Sequence, residues 1–65
     1  MTIGESLKQH RQRLGISQSK LAQDTGIKQQ NLSRWENNTH IPDVLQCSIL
    51  AKYYEITIEE LIGID

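Results

Sequence analysis

Apolar residues recur every three to four positions through most of the chain, and short polar or glycine-containing breaks divide them into segments. Ile3, Leu7 and Leu14 are spaced by four and seven residues, which predicts the buried face of a first helix. Gly15 takes a left-handed backbone without strain and predicts the end of that helix. Ser17 is a natural N-cap for a second helix, with Lys20 standing where a capping box would need Glu or Gln. Leu21 is expected in the core, and Ala22 leaves room for a close neighbour. Gly26 predicts a tight turn, since a residue with a Cβ is strained in the left-handed conformation. Ile27, Leu32 and Trp35 then predict the buried face of a third helix, which Asn37 and Asn38 are suited to end.

Pro42 is expected in the first turn of a fourth helix. Val44, Cys47, Leu50, Ala51 and Tyr54 follow at helical spacing and predict its inner face. Thr57 and Glu60 form a capping-box pattern for a fifth, with Ile56 and Leu61 placed as a hydrophobic staple. No alternating run is long enough for a strand. The pattern predicts an all-α fold, a compact five-helix bundle. Residues 17–36 form two short amphipathic helices on either side of one glycine. The second carries its apolar residues on one side and polar ones on the other, the arrangement of a helix-turn-helix that lays a helix in the DNA major groove.

Sixty-five residues suffice for one domain, residues 1–65, near the lower size limit for unaided folding. Cys47 is the single cysteine, which excludes an internal disulfide and suits a reducing compartment. The start lacks the basic and apolar regions of a signal peptide, and no apolar stretch is long enough to span a membrane. A soluble, cytoplasmic protein is expected, with no membrane partner. The net charge of −1 hides a strong asymmetry. Residues 1–34 hold Lys8, Arg11, Arg13, Lys20, Lys28 and Arg34 against Glu5 and Asp24, whereas residues 35–65 hold Lys52 against Glu36, Asp43, Glu55, Glu59, Glu60 and Asp65. A basic face and an acidic face are expected, a hint of nucleic-acid contact. The acidic half also limits non-specific binding, which is largely counterion release.

The chain resembles the lambda-repressor-like helix-turn-helix domains, the Cro and phage-repressor group. The likeness rests on Gln18, Leu21-Ala22, Gly26-Ile27 and Trp35-Glu36-Asn37, and extends from Leu7 to Ile62 through Ile41-Pro42, Leu50-Ala51-Lys52 and Ile56-Thr57. The resemblance implies double-stranded DNA as partner and a homodimer on a palindromic operator. It implies base contacts from the outer side of helix three, here Gln29, Gln30 and Arg34, with Asn31 beside them. The chemistry agrees: a glutamine amide pairs bidentately with adenine N6 and N7, and an arginine with guanine O6 and N7. Gln30 and Arg34 are one helical turn apart and project together. Phosphate contacts are implied for Gln18, which also braces helix three, and for Ser17, Lys20, Lys28, Arg11 and Asn37. Arg11 and Glu36 are implied to form a partly buried ion pair, structural first and DNA-facing second. The chain departs from the pattern at Lys28, where a Ser or Thr cap is commoner, and at Asn38 and Glu55, where glycines are frequent. Thr39 also stands where many relatives have a basic residue.

Catalytic chemistry is not expected. His10 and His40 lie far apart and Cys47 is alone, which gives no metal-ligand spacing. Glu59 and Glu60 diverge as helix neighbours. No cofactor and no small-molecule ligand is implied. Trp35 is expected in the core, with Tyr54 buried and Tyr53 near the surface. Ile58, Ile62 and Ile64 exceed what a small monomer needs, and Ile58 is the expected dimer contact. The alternative is a protein-interaction module, such as an antitoxin-like or adaptor domain, working through Glu59, Ile58 and Tyr53.

Overall fold

In the computed structural model, residues 2–63 are described, and they contain five helices and no strand. Ile64 lies outside the described residues. Helix α1 (Ile3–Arg13) opens with a capping box, Thr2 with Glu5, outside the sequence expectations. Thr2 Oγ1 accepts the Glu5 amide at 3.1 Å and the Glu5 carboxylate accepts the Thr2 amide at 3.0 Å. Both N-terminal donors are thereby satisfied. Gly15, at φ +68°, turns the chain out of α1. Helix α2 (Gln18–Thr25) is capped by Ser17, whose side chain accepts the Lys20 amide, and Gly26 at φ +77° ends it. Helix α3 (Gln29–Glu36) follows after three residues, Gly26, Ile27 and Lys28, and the turn is pinned by Thr25 Oγ1, which donates to Leu21 O and accepts the Ile27 amide.

Helix α4 (Val44–Tyr54) begins later than expected. Asp43 Oδ1 accepts the Gln46 amide at 2.8 Å and makes Asp43 the N-cap. Pro42 therefore precedes the helix instead of filling its first turn. Helix α5 (Ile58–Ile62) carries the predicted Thr57–Glu60 capping box. Ile56 and Leu61 both pack into the core, Leu61 completely.

Leu7, Leu21, Ile27, Leu32, Trp35, Cys47, Leu50, Ala51 and Leu61 form the core, drawn from all five helices and the turn before α3. Helix α1 packs on α3 and α5, α2 on α3, and α4 on α5. Ile3 and Tyr54, expected on buried faces, are half-buried against it, and two further expected core residues are exposed. Leu14 keeps the phase of Leu7 but lies one residue beyond α1, and is 54% exposed. Val44 keeps the phase of Cys47 but sits at the first position of α4, a turn before the core begins, and is exposed. In both cases the helical pattern outruns the elements that would cover it. Cys47 is buried, and that burial pushes its thiol pKa up, consistent with a packing role.

Two contacts fix how α1 meets α3. Gly4, in the first turn of α1, lies so close to the end of α3 that a Cβ there would stand 2.6 Å from Trp35 O and 2.7 Å from Glu36 O. Asn38, at φ +62°, then reaches back: its Oδ1 accepts the Gly4 amide at 3.0 Å and its Nδ2 donates to Thr2 Oγ1 at 3.1 Å. The asparagine thus holds a left-handed position and adds a tie that a glycine there would lack. Ser6 Oγ, buried, donates to Leu61 O at 2.6 Å and fixes α5 to the same helix.

Candidate nucleic-acid interface

Helix α3 is divided sharply by burial. Leu32, Trp35 and Glu36 face inward, while Gln29, Gln30 and Arg34 are exposed. Among the described residues, none of those three side chains is held by a hydrogen bond or ion pair within the fold. At the start of α3, Lys28 occupies the N-cap position but gives no side-chain hydrogen bond. The Asn31 amide bonds back to Lys28 O at 3.0 Å, so of the first amides of α3 only those of Gln29 and Gln30 lack an acceptor among the described residues, with the positive pole of the helix dipole behind them. Asn31 is half-buried and lines, with Lys28 and Gln46, a groove of about 300 Å³ toward α4. It is thus less open to an incoming duplex than Gln29 or Gln30.

One carboxylate anchors the inner side of α3. Glu36, whose side chain is 4% exposed, accepts from Arg11 Nε at 2.8 Å and from Arg11 Nη2 at 2.9 Å. It also accepts from Gln18 Nε2 at 3.1 Å. Arg11 spends its remaining terminal nitrogen on Ile16 O at 2.8 Å, so its guanidinium is engaged on every nitrogen. The fork geometry raises the already high Arg11 pKa, chiefly through the hydrogen bonds to Glu36. This leaves Arg11 little freedom to turn toward a phosphate. Gln18 is half-buried at the first position of α2, and its link to Glu36 ties that end of α2 to the end of α3.

The remaining phosphate candidates are placed variously. Ser17 is exposed, and its hydroxyl oxygen already caps α2. Lys20 is exposed and pairs with Asp24 at 3.2 Å, one turn along α2. Asp24 also accepts the Tyr53 hydroxyl at 2.6 Å, and that bond, with the Lys20 contact second, lowers its pKa. Tyr53 thereby joins α4 to α2. Lys28 is exposed and unpaired among the described residues. Asn37 is exposed and weakly bonded to Ser33 Oγ at 3.4 Å. Thr39 donates its hydroxyl to Arg34 O at 3.0 Å, closing the end of α3. Ile58 is 37% exposed, with exposed Glu59 and Glu60 beside it.

The contacts of Asn38 and Gly4 lay outside the sequence expectations. The Thr2–Glu5 pair could have been found from its Thr-x-x-Glu spacing, whereas nothing local marks Gly4 or Asn38 as partners. Among the described residues no group of three His, Cys, Asp or Glu is arranged to hold a metal ion, and no helix is long and apolar enough to cross a membrane.

Comparison with known proteins agrees with this arrangement. A helix-turn-helix family profile matches residues 7–61. The chain is 32% identical over its whole length to the HTH-type transcriptional regulator ImmR of Bacillus subtilis, covering 51% of that protein. It is 27% identical over 97% of its length to the HTH-type transcriptional activator BcrR of Enterococcus faecalis, covering 31% of that protein. The chain thus spans about half the length of the first relative and under a third of the second. With the two-helix unit, its glycine turn and the matched profile in agreement, the chain belongs to the Cro/C1-type, lambda-repressor-like helix-turn-helix family.

Proposed function

We propose that this chain is a cytoplasmic, sequence-specific DNA-binding regulator of transcription, acting as a homodimer on a two-fold symmetric operator with α3 in the major groove. The observation that carries the reading is the outer side of α3. Gln29, Gln30 and Arg34 are exposed and uncommitted on a helix whose inner side is clamped by Leu32, Trp35 and the Arg11–Glu36–Gln18 cluster. Polar groups with nothing to bond inside the fold, on a rigidly held helix, suit the reading of base edges. In this reading Gln29, Gln30 and Arg34 contact bases, with Asn31 at the margin. Lys28, Lys20, Gln18, Ser17 and Asn37 contact phosphates, and the role of Arg11 is to hold α3. Repression is the outcome that occupancy of a promoter produces without any further partner. Both relatives named above are called transcriptional regulators or activators, which supports the broader role.

The test is enrichment from a random duplex pool at fixed salt, repeated with variants. A two-fold symmetric site should emerge. Gln29→Ala and Gln30→Ala should each cost about 1–3 kcal/mol on that site and relax the choice at particular base pairs. Lys28→Ala should weaken all sequences alike and reduce the salt slope by about one. Equal weakening of every sequence by the glutamine changes would rule out their part in base readout.

A further inference from the structure

We propose that Gln46, on α4, is a specificity-determining positioning residue: its side-chain oxygen holds the Asn31 amide in the orientation that meets a base edge. The inference rests on the reading of α3 as the base-contacting helix. The observation behind it is an orphaned acceptor. Gln46 Oε1 is buried and has no hydrogen-bond partner among the described residues. A buried acceptor left without a donor loses more than an ordinary hydrogen bond returns, so each one in a folded protein calls for an explanation.

Its location narrows the choice of partner. Gln46 lines the groove between the α2–α3 turn and α4, together with Thr25, Gly26, Ile27, Lys28 and Asn31. Most donors there are already engaged. The Thr25 hydroxyl donates to Leu21 O, the Gly26 amide to Ala22 O and the Ile27 amide to Thr25 Oγ1. Lys28 is exposed, so water satisfies its donors. Asn31 is half-buried, and its side-chain amide is uncommitted among the described residues. It is the donor best placed to complete Gln46.

Both side chains leave from well-held backbone. Asn31 is the third residue of α3, and its amide bonds to Lys28 O at 3.0 Å. Gln46 is the third residue of α4, and its amide bonds to Asp43 Oδ1 at 2.8 Å. Side-chain rotation is then enough to join them across the groove. The chemistry of a primary amide suits the role. Bidentate pairing with adenine uses Oδ1 and the one Nδ2 hydrogen on the same side as Oδ1. The other Nδ2 hydrogen is surplus, and Gln46 Oε1 takes that one. An amide anchored in this way cannot turn over, so its donor and acceptor keep fixed places.

A residue of α4, outside the base-contacting set, thereby governs the choice at one base position. Two substitutions separate this role from packing. Gln46→Met keeps the length of the side chain and removes the acceptor. Gln46→Glu keeps an acceptor oxygen, and a carboxylate in the first turn of α4 is favoured by the helix dipole.

The test has two arms. In the free 65-residue protein, a double-mutant cycle of Gln46→Met with Asn31→Ala is measured by urea unfolding. The combined change in the unfolding constant should be about three- to tenfold smaller than the product of the single changes. On DNA, the duplex pool enriched from random sequence is compared among the variants. Gln46→Met should relax the same base position as Asn31→Ala and leave those of Gln29, Gln30 and Arg34 alone, while Gln46→Glu should keep that position fixed. Single changes that multiply independently, or a Gln46→Met profile identical to that of the unsubstituted protein, would overturn the proposal. A pool with no enriched site would overturn the reading of α3 and with it the specificity role, and the unfolding cycle distinguishes that failure from a missing Gln46–Asn31 bond.

Discussion

Replacing Glu36 by alanine is expected to leave much of the protein unfolded at room temperature. The carboxylate is 4% exposed and accepts three hydrogen bonds, two from Arg11 and one from Gln18. Without it the Arg11 guanidinium, 12% exposed, keeps Ile16 O as its partner and remains a poorly solvated charge. Breaking a buried pair in this way costs about 3–5 kcal/mol. A 65-residue domain has on the order of 3–10 kcal/mol of stability in total, so the loss consumes from about a third to all of it. A urea titration followed by Trp35 fluorescence measures the effect. The cause is separable: Arg11→Met combined with Glu36→Leu removes both charges and should recover most of the loss. A double variant as unstable as Glu36→Ala would show that the stranded charge is not responsible. A single variant with an unchanged urea midpoint would remove the cluster from the account of stability altogether.

Gly4→Ala is the second large effect, and its sign opposes what helix propensity alone gives. Inside a helix, alanine is favoured over glycine by about 1 kcal/mol. Here the added methyl would enter the space of two backbone carbonyls, Trp35 O and Glu36 O, and of Asn38 Oδ1. The carbonyls cannot withdraw without tilting α1 away from α3, and Asn38 is held by its bonds to Gly4 and Thr2. Overpacking of this kind costs about 1–3 kcal/mol, and because the obstacle is backbone the upper part of that range is expected. For a domain this small the melting temperature should fall by roughly 10–20 °C. A rise, or no change, would mean that α1 can shift freely on α3.

These two sites show where sequence reading reaches and where it stops. The Thr57–Glu60 box, the Ser17 cap and the Gly26 turn are local chemistry, and each is found where its residues predict. The inner faces of α2 and α3 were equally legible, because Leu21, Ile27, Leu32 and Trp35 keep their period in the middle of well-covered elements. The period misled at helix ends, where Leu14 and Val44 keep phase after their neighbours run out. Pro42 misled because Asp43, one residue later, competes for the cap. The close approach at Gly4 depends on how α1 crosses α3, and no window of sequence contains both. For the candidate interface, the resemblance to helix-turn-helix domains implied the outer face of α3, and residue types and spacing agreed with it without singling it out. That the Arg11 guanidinium is engaged on every nitrogen required its three-dimensional neighbours.

The division of α3 into a clamped side and an uncommitted side makes the molecule modular. Gln29, Gln30 and Arg34 take no part in capping, core packing or ion pairing among the described residues. Their identities can change together without entering the folding equilibrium, provided that helix-forming residues replace them. The scaffold and the address it carries can therefore vary independently, so libraries randomised at these three positions should contain mostly folded members.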